Sequence, residues 1–154
     1  MELEKKVEML NWYAQAWYAS SQADAIHEAV FRAQGYGKFA DKCAEEAAEE
    51  LEEAKACTKR VVELGGKPVF GCIDQPLFDD VKDLLEDWAD GFEREDGVGK
   101  LNEFAAALSD DAITRKLVEG FVECESEHCA WVNRDLKIIE KIGYDAYLTE
   151  MMDI

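Results

Sequence analysis

Acidic residues and one histidine interrupt apolar stripes in two stretches of the sequence. In the first stretch, Glu50 lies in a run of apolar residues at helical spacing, and Glu53 follows it by about one turn. In the second, Glu125 and His128 interrupt a similar run three residues apart. The apolar members of the two runs are Phe39, Cys43, Ala47, Ala54, Cys57, Val61 and Leu64, and then Leu117, Phe121, Val132 and Ile139. Residues three apart share one face of a helix, so a carboxylate oxygen and an imidazole nitrogen can converge on an ion.

These positions favour metal binding. Burying an ionised side chain without a partner costs several kcal/mol, so acids in the middle of a core need a cation or a dense hydrogen-bond network. We therefore predict that a pair of metal ions is held between the two stretches. A structural hydrogen bond is the alternative for Glu125 and His128, and a solvated acidic face is the alternative for Glu53.

Four long helices and a short one are predicted to position these side chains. Glycines punctuate the sequence, and the apolar spacing between them is helical. The predicted helices cover residues 3–34, residues 39–64 with a glycine cap at Gly65-Gly66, residues 78–108 with a bend near Gly97 and Gly99, a fourth from a Ser109 or Asp110 cap to residue 142, and residues 145–152. Residues 66–76 are too apolar for a solvated linker, so we expect them to lie against the bundle. Fully extended, this segment reaches roughly 36 Å, enough for a full-length crossover.

The charge balance excludes several classes of partner. The 154 residues carry 35 Asp and Glu against 17 Lys and Arg, a net charge of −18, which repels nucleic acid and anionic lipid and attracts cations. No stretch reaches the roughly 20 apolar residues that span a bilayer, and the N-terminus lacks an apolar signal region. The five cysteines include no CxxC pair, which indicates reduced thiols. We expect one cytoplasmic domain over residues 1–154, with no nucleic-acid or membrane partner.

Several segments resemble the ferritin-like family, and within it the bacterioferritin branch, over nearly the whole chain. The best match is residues 125–131, a Glu-x-x-His motif followed by tryptophan. Further matches are Leu10-Asn11 with His27, Phe31 and Gly35 in the first helix, residues 50–54 and 63–68 in the second, and residues 143–148 in the tail. The chain is also similar to Dps-like and thiol-bearing ferritin-like cages. The resemblance implies an all-α, ferritin-like four-helix bundle with one long crossover and a short C-terminal fifth helix.

The resemblance also implies a set of metal ligands. Glu50, Glu125 and His128 fall on ligand positions of that family's ferroxidase site. Glu53 stands where the family has a histidine, and a carboxylate can still bind a hard ion. Trp17 stands where the first helix of the family supplies a glutamate. Asp24, two turns further along the same face, is a candidate replacement for that missing acid.

The third helix is expected to add a ligand as well. A local match at Asp96-Gly97 points to Arg94, whereas an apolar stripe ending at Phe92 points to Glu95. We prefer Glu95 because the stripe faces the core. The other stripe members are Val81, Leu85 and Trp88.

Neighbouring residues receive structural interpretations. His27 is expected at the surface or at a subunit interface rather than as a ligand. The aromatic residues of the first helix are expected to pack in the core or at subunit contacts, and the cysteines near the motifs to act as small apolar residues. These residues are Trp12, Tyr13, Trp17 and Tyr18, and Cys57, Cys124 and Cys129.

Ferrous iron is the implied substrate, bound as a dinuclear pair and oxidised by oxygen or peroxide. The resemblance implies storage or detoxification of the ferric product in a homo-oligomeric cage of 12 or 24 subunits, built from dimers. Haem or another porphyrin would need a new ligand, because Leu51 stands where bacterioferritins have a methionine. Two alternatives stay open: a non-catalytic structural or binding subunit with a degenerate site, and a carboxylate-bridged oxidase or peroxidase without a storage cavity.

Overall fold

The protein is helical throughout the part that its structure describes. A computed structural model describes residues 1–94 and 97–154. Its helices are α1 (Leu3–Ala33), α2 (Gly37–Glu63), α3 (Val81–Gly91), α4 (Val98–Ala106), α5 (Ala112–Ile142) and α6 (Tyr144–Glu150). No helix in these ranges is long and apolar enough to cross a membrane. The predicted all-α class and the short C-terminal helix are confirmed.

The helices α1 and α2 form an antiparallel hairpin. Near the turn, the rings of Phe31 and Phe39 lie 5.2 Å apart. Further along, the hydroxyl of Ser21 donates to the carbonyl of Ala47 over 2.7 Å. At the far end of α2 the amide of Gly66 donates to the carbonyl of Val61 over 2.9 Å. The residue directly before Gly66 is Gly65, whose φ is 79°. This is the left-handed glycine cap that the sequence predicts.

The predicted third helix is divided into α3 and α4. The break falls where a bend was expected, because α3 ends at Gly91 and Gly97 precedes α4. A Cβ atom added to Gly97 would overlap the carbonyl group of Phe92. Only glycine, which has no Cβ, allows the backbone to approach that closely.

The segment that joins α2 to α3, residues 64–80, is the predicted crossover. Amide side chains of α1 and of the residue that follows it hold the backbone of the crossover at three points over most of the length of α1. The donors are Asn11, Gln15 and Gln34, and the acceptors are the carbonyls of Lys67, Phe70 and Asp79 at 3.0, 3.3 and 2.8 Å. The crossover therefore runs along the bundle and is attached to it by hydrogen bonds to its backbone carbonyls.

Several apolar side chains of the crossover are exposed. Val69, Phe70 and Leu77 are exposed, Phe70 completely. The segment lies against the bundle as expected, but it does so through its backbone. The carbonyls of Lys67 and Phe70 face α1 and the neighbouring side chains are directed outward, whereas Phe78 packs against the second apolar core described below.

Two apolar cores lie along the bundle, with a polar band between them. One core includes Leu10, Tyr13, Trp17, Cys57, Val61, Leu101, Phe104 and Phe121. The other includes Phe31, Phe39, Cys43, Leu85, Val132, Ile139 and Tyr147. Buried polar side chains of three long helices lie between these two groups: Asp24 on α1, Glu46, Glu50 and Glu53 on α2, and His128 on α5. Four of these five side chains belong to the predicted metal-binding set, which thus lies at mid-bundle.

The helix α5 is capped by Asp111, so the predicted cap at Ser109 or Asp110 is wrong. The carboxylate of Asp111 accepts the amide of Thr114 over 3.1 Å and also pairs with Lys6 at 2.9 Å and Arg60 at 3.2 Å. Partial burial opposes ionisation, but the hydrogen bonds from Thr114 and Lys6 outweigh it and hold the pKa of Asp111 well below its usual range. The ion pairs with Lys6 of α1 and Arg60 of α2 therefore hold Asp111 at the cap position.

We expect Asp111→Ala to lower the free energy of unfolding by about 2–4 kcal/mol, because it removes a helix cap and leaves two partly buried cations without their acid. Urea denaturation at pH 7 measures the loss. Asp110→Ala is the matched control, because Asp110 is exposed and pairs with the N-terminal ammonium group. A similar loss in both variants would contradict the role given to Asp111.

Candidate metal centre

A cavity of about 80 Å³ lies in the polar band between the two cores. The helices α1, α2, α3 and α5 and the crossover all contribute to its wall. Its polar side chains include Asp24, Glu50, Asp87, Glu125 and His128. A space of this size accommodates a few water molecules or ions. Four of the predicted ligands thus face one small cavity.

Glu50 is buried and lies beside Asp24. Burial, followed by the charge of Asp24 and a hydrogen bond to it, raises the pKa of Glu50 well above its usual range. Glu50 therefore holds its proton more tightly than a solvated carboxyl group does. The Oε1 atom of Glu50 is buried and has no hydrogen-bond partner among the described residues.

His128 is held by aromatic rings on one side and by an acid on the other. The ring centroids of Trp88, Phe92 and Trp131 lie 4.9, 5.2 and 5.3 Å from that of the imidazole. Its Nδ1 faces Glu46 Oε2 at 3.3 Å, an arrangement by which carboxylates orient metal-binding histidines. Burial lowers the pKa of His128 to about 4, against the opposing charge of Asp24, so the imidazole is neutral at pH 7. Its buried Nε2 has no partner within the described chain.

Glu46 belongs to the site and was missed from the sequence. It is only 6% exposed, whereas Ala47, the residue assigned to the apolar stripe, is half-buried. Burial and then the charges of Glu49, Glu125 and Asp24 raise the pKa of Glu46 to about 8. The signal was available, because Glu46 follows Cys43 by three positions and precedes Glu50 by four.

Glu53 is buried at the edge of the site. Burial, followed by the charges of Glu125, Glu49 and Glu46, raises the pKa of Glu53 to about 9. Its Oε2 atom has no hydrogen-bond partner in the part of the chain that the structure describes. The alternative of a solvated acidic face is therefore wrong for Glu53. Glu53 is not among the residues that line the cavity.

Glu125 and the third-helix position complete the predicted set. Glu125 is half-buried and lines the cavity, and its charge raises the pKa of Glu46, Glu50 and Glu53. Glu95 lies outside the described residues, and the helical stripe that pointed to it ends with α3 at Gly91.

Arg94, the alternative to Glu95, also lines the cavity. Its guanidinium lies 3.5 Å from the carboxylate of Asp87, a wall residue that the sequence analysis did not select. This wall of the cavity therefore carries an exposed ion pair.

Trp17 forms an apolar part of the cavity wall. It is 6% exposed, and its ring lies 4.5 Å from that of Phe121 and 5.2 Å from that of Tyr13. The expectation that it packs in the core is confirmed. An indole therefore occupies the wall where the resemblance implies a carboxylate.

His27 is buried, so the expectation of a surface residue is wrong. It is 2% exposed, and its Nδ1 lies 3.0 Å from Asp24 Oδ1. Its Nε2 accepts the backbone amide of Phe78 over 3.0 Å. Both ring nitrogens thus have partners within the chain, and neither is available to a metal ion.

The cysteines near the site have the character of small apolar residues. Cys57 and Cys43 are fully buried, and burial raises the pKa of both thiols above the usual range. Burial and then the charge of Glu53 raise the pKa of Cys124 to about 11. Thiols with raised pKa values carry little thiolate at neutral pH and are poor nucleophiles.

The donor atoms fit a metal ion in chemistry, but they are spread apart. In residues 1–94 and 97–154, no three His, Cys, Asp or Glu side chains are grouped closely enough to hold an ion as they stand. However, Glu50 Oε1, Glu53 Oε2 and His128 Nε2 are all buried without a partner among those residues. Buried polar atoms are normally hydrogen-bonded, so three such atoms in one band are unusual. Side chains would have to close around an ion to bind it.

Comparison with known proteins assigns the chain to a family. The ferritin profile, described as a ferritin-like domain, matches residues 7–142. This chain belongs to the ferritin-like family. It is similar to the proteins named bacterial ferritin of Neisseria meningitidis serogroup B (strain ATCC BAA-335 / MC58) and Neisseria gonorrhoeae. Each is 26% identical over 123 residues, which cover 79% of this chain and 80% of the relative.

Family membership confirms the resemblance inferred from the sequence motifs. Two features of this ferritin-like chain deviate from the pattern that the resemblance implies. The helices α3 and α4 succeed one another where a single third helix was expected, and Trp17 stands among acids that otherwise follow the implied pattern. Both deviations border the same cavity.

We expect the metal-free ferritin-like protein to lose stability as the pH rises from 7 to 9. Folded Glu46 and Glu53 keep protons, with pKa values of about 8 and 9, that the unfolded chain has already lost. The folded state therefore binds more protons in this window, and raising the pH favours unfolding by on the order of 1–2 kcal/mol. Melting temperatures measured with a chelator and a reductant should fall by a few degrees.

Two variants check this assignment. Glu46→Gln replaces the protonated acid by a neutral side chain of the same shape, so the fall between pH 7 and pH 9 should shrink. Glu52→Gln is the control, because Glu52 is 73% exposed on the same helix and its replacement should leave the fall unchanged. A melting temperature that rises toward pH 9 would show that these acids are ionised in the folded protein.

Proposed function

We propose that this chain binds ferrous iron as its substrate in the mid-bundle cavity and oxidises it with oxygen or peroxide. Family membership and the relatives named bacterial ferritin support iron as the ion. One observation carries the proposal. Glu50 Oε1 and His128 Nε2 belong to side chains on the wall of one cavity, and both are buried without a partner among the described residues.

The proposed ligands are carboxylates and one neutral imidazole. Glu50 supplies oxygen atoms from α2, and Glu125 supplies them from α5. Asp24 supplies the carboxylate of α1, because Trp17 stands where the family has a glutamate. His128 supplies a nitrogen, with Glu46 behind its Nδ1. Glu53 is one turn along α2 and is positioned to take a second ion or to pass iron onward. Oxygen ligands suit a hard ion, and their charge stabilises the ferric state more than the ferrous state.

Iron binding must release protons from this site. Burial raises the pKa of Glu50 well above its usual range and keeps Glu46 and Glu53 protonated near neutral pH. A divalent cation replaces these protons as the charge that makes burial of the acids tolerable. In the oxidation, each of two ferrous ions loses one electron, and one hydrogen peroxide takes up both electrons with two protons to form two water molecules.

An oligomeric cage is part of the proposal. The net charge of −18 attracts cations to the surface and to any pore between subunits. The exposed apolar side chains of the crossover give a surface that another copy of the chain can cover. A cytoplasmic location and assembly into 12 or 24 subunits stay predictions. Leu51 stands where bacterioferritins have a methionine, so a porphyrin would still need another ligand.

A non-catalytic ferritin-like subunit is the second candidate function. Trp17 on the cavity wall and the spread of the donor atoms favour it. In that case the buried acids would neutralise one another by sharing protons, and the cavity would hold water.

We expect wild-type protein to bind ferrous iron in anaerobic titration calorimetry, with release of protons. Glu50→Gln should weaken binding by about 10-fold or more, because even residues that only orient ligands contribute that much. Glu52→Gln makes the same substitution at an exposed position of α2 and should bind like wild type. Equal binding by all three proteins would place the iron elsewhere.

We expect crystals grown with iron to show anomalous peaks at the iron edge between Glu50 and His128. Mixing the ferrous protein with peroxide should then give ferric absorbance faster in wild type than in Glu50→Gln. An empty cavity under the same conditions would favour the non-catalytic subunit. Peaks without oxidation would show a binding site that has lost its turnover.

A further inference from the structure

The hydrogen bonds of His27 determine where its proton lies. The backbone amide of Phe78 donates to Nε2, so Nε2 carries no proton. The proton of the neutral ring is therefore on Nδ1, which donates to Asp24 Oδ1 over 3.0 Å. The ring is 2% exposed and lies between Phe31 and Phe78, with centroids 6.2 and 6.0 Å away. Its orientation is thus set on every side by the fold.

His27 connects two walls of the cavity. Asp24, which accepts the hydrogen bond from Nδ1, is 3% exposed, lines the cavity and lies beside Glu50. Phe78, which donates to it, belongs to the crossover, and two nearby crossover residues, Gln75 and Pro76, also line the cavity. One imidazole therefore holds an acid of α1 and the crossover in a common position.

We propose that His27 is a positioning residue that holds the Asp24 carboxylate in place for an ion in the cavity, while the crossover locks the tautomer that does so. The proposal rests on the proposed metal-binding function. The backbone amide of Phe78 makes Nε2 an acceptor, and this leaves Nδ1 as the donor that Asp24 requires. A partner that fixes the orientation of a ligand commonly affects metal affinity by about 10-fold or more.

Two substitutions separate the two hydrogen bonds of His27. In His27→Asn, the amide nitrogen occupies the place of Nδ1, so it donates to Asp24 but does not reach Phe78. In His27→Gln, the amide oxygen occupies the place of Nε2, so it accepts from Phe78 but cannot donate to Asp24. Gln34→Ala is the control for the crossover, because Gln34 holds the same segment at Asp79 without touching the site.

The protein is titrated with Co²⁺. Calorimetry measures the affinity, and the visible absorption bands of the bound ion report its coordination. His27→Gln should bind about 10-fold more weakly than wild type and show altered bands, whereas His27→Asn and Gln34→Ala should retain the wild-type bands. Asp24→Asn should also weaken binding. Adding His27→Gln to Asp24→Asn should cause no further loss, because the effect passes through that carboxylate.

Several outcomes overturn the proposal. If His27→Asn loses as much affinity as His27→Gln, then the anchor to the crossover matters rather than the support of Asp24. If His27→Gln binds Co²⁺ like wild type, then His27 positions nothing that the ion uses. Circular dichroism of each variant checks that the helices are intact, and a further loss in the double variant would show a route other than Asp24.

Failure of the proposed function gives a different result. If wild-type protein binds no Co²⁺ in the cavity, the metal site and the role of His27 toward it both fail. If wild type binds and only the His27 variants behave unexpectedly, the metal site stands and the positioning role fails. Nitrogen-15 spectra of the metal-free protein test the hydrogen bonds separately, since the structure requires the proton of His27 on Nδ1.

Discussion

Burial of carboxyl groups in the middle of a helical bundle is the constraint on which the rest of the structure depends. Removing water from Glu46, Glu50 and Glu53 disfavours their ionised forms, and each lies near another acid. Without an ion, these groups hold their protons more tightly than solvated acids do. In the proposed function, the charge of a divalent cation replaces protons that the acids hold only because they are buried.

The architecture around this band keeps it in place. Apolar cores on both sides contain large aromatic residues, among them Trp17 and Phe39, so the helices meet at a fixed spacing. At one end of the bundle, Asp111 joins α1, α2 and α5 through Lys6 and Arg60. Along the side, the crossover is hydrogen-bonded to α1 through its backbone. The polar band is thus held between rigid regions rather than within a loop.

Family membership explains the framework, and the deviations are concentrated at the cavity. The Glu-x-x-His motif on α5 and the acid of α2 follow the implied pattern, whereas Trp17 narrows the site from the α1 side. Asp24 brings an acid back into that wall, and its orientation depends on His27 and on the crossover. The break between α3 and α4 brings Arg94 to the cavity wall, where it pairs with Asp87. A cation at that wall balances part of the acidic charge.

Helical spacing and glycine positions in the sequence determined the class of fold, the hairpin of α1 and α2, the glycine cap after α2 and the mid-bundle position of Glu50 and His128. Local patterns carry this information because the period of a helix and the conformational freedom of glycine are properties of short segments. Tertiary structure decided the rest. Asp111 rather than Asp110 caps α5 because cations from two other helices meet it, and Glu46 is buried because His128 of α5 faces it. His27 faces inward because the amide of Phe78, 51 residues away along the chain, completes its hydrogen bonds. Such choices depend on which distant groups come together, and no local pattern encodes that.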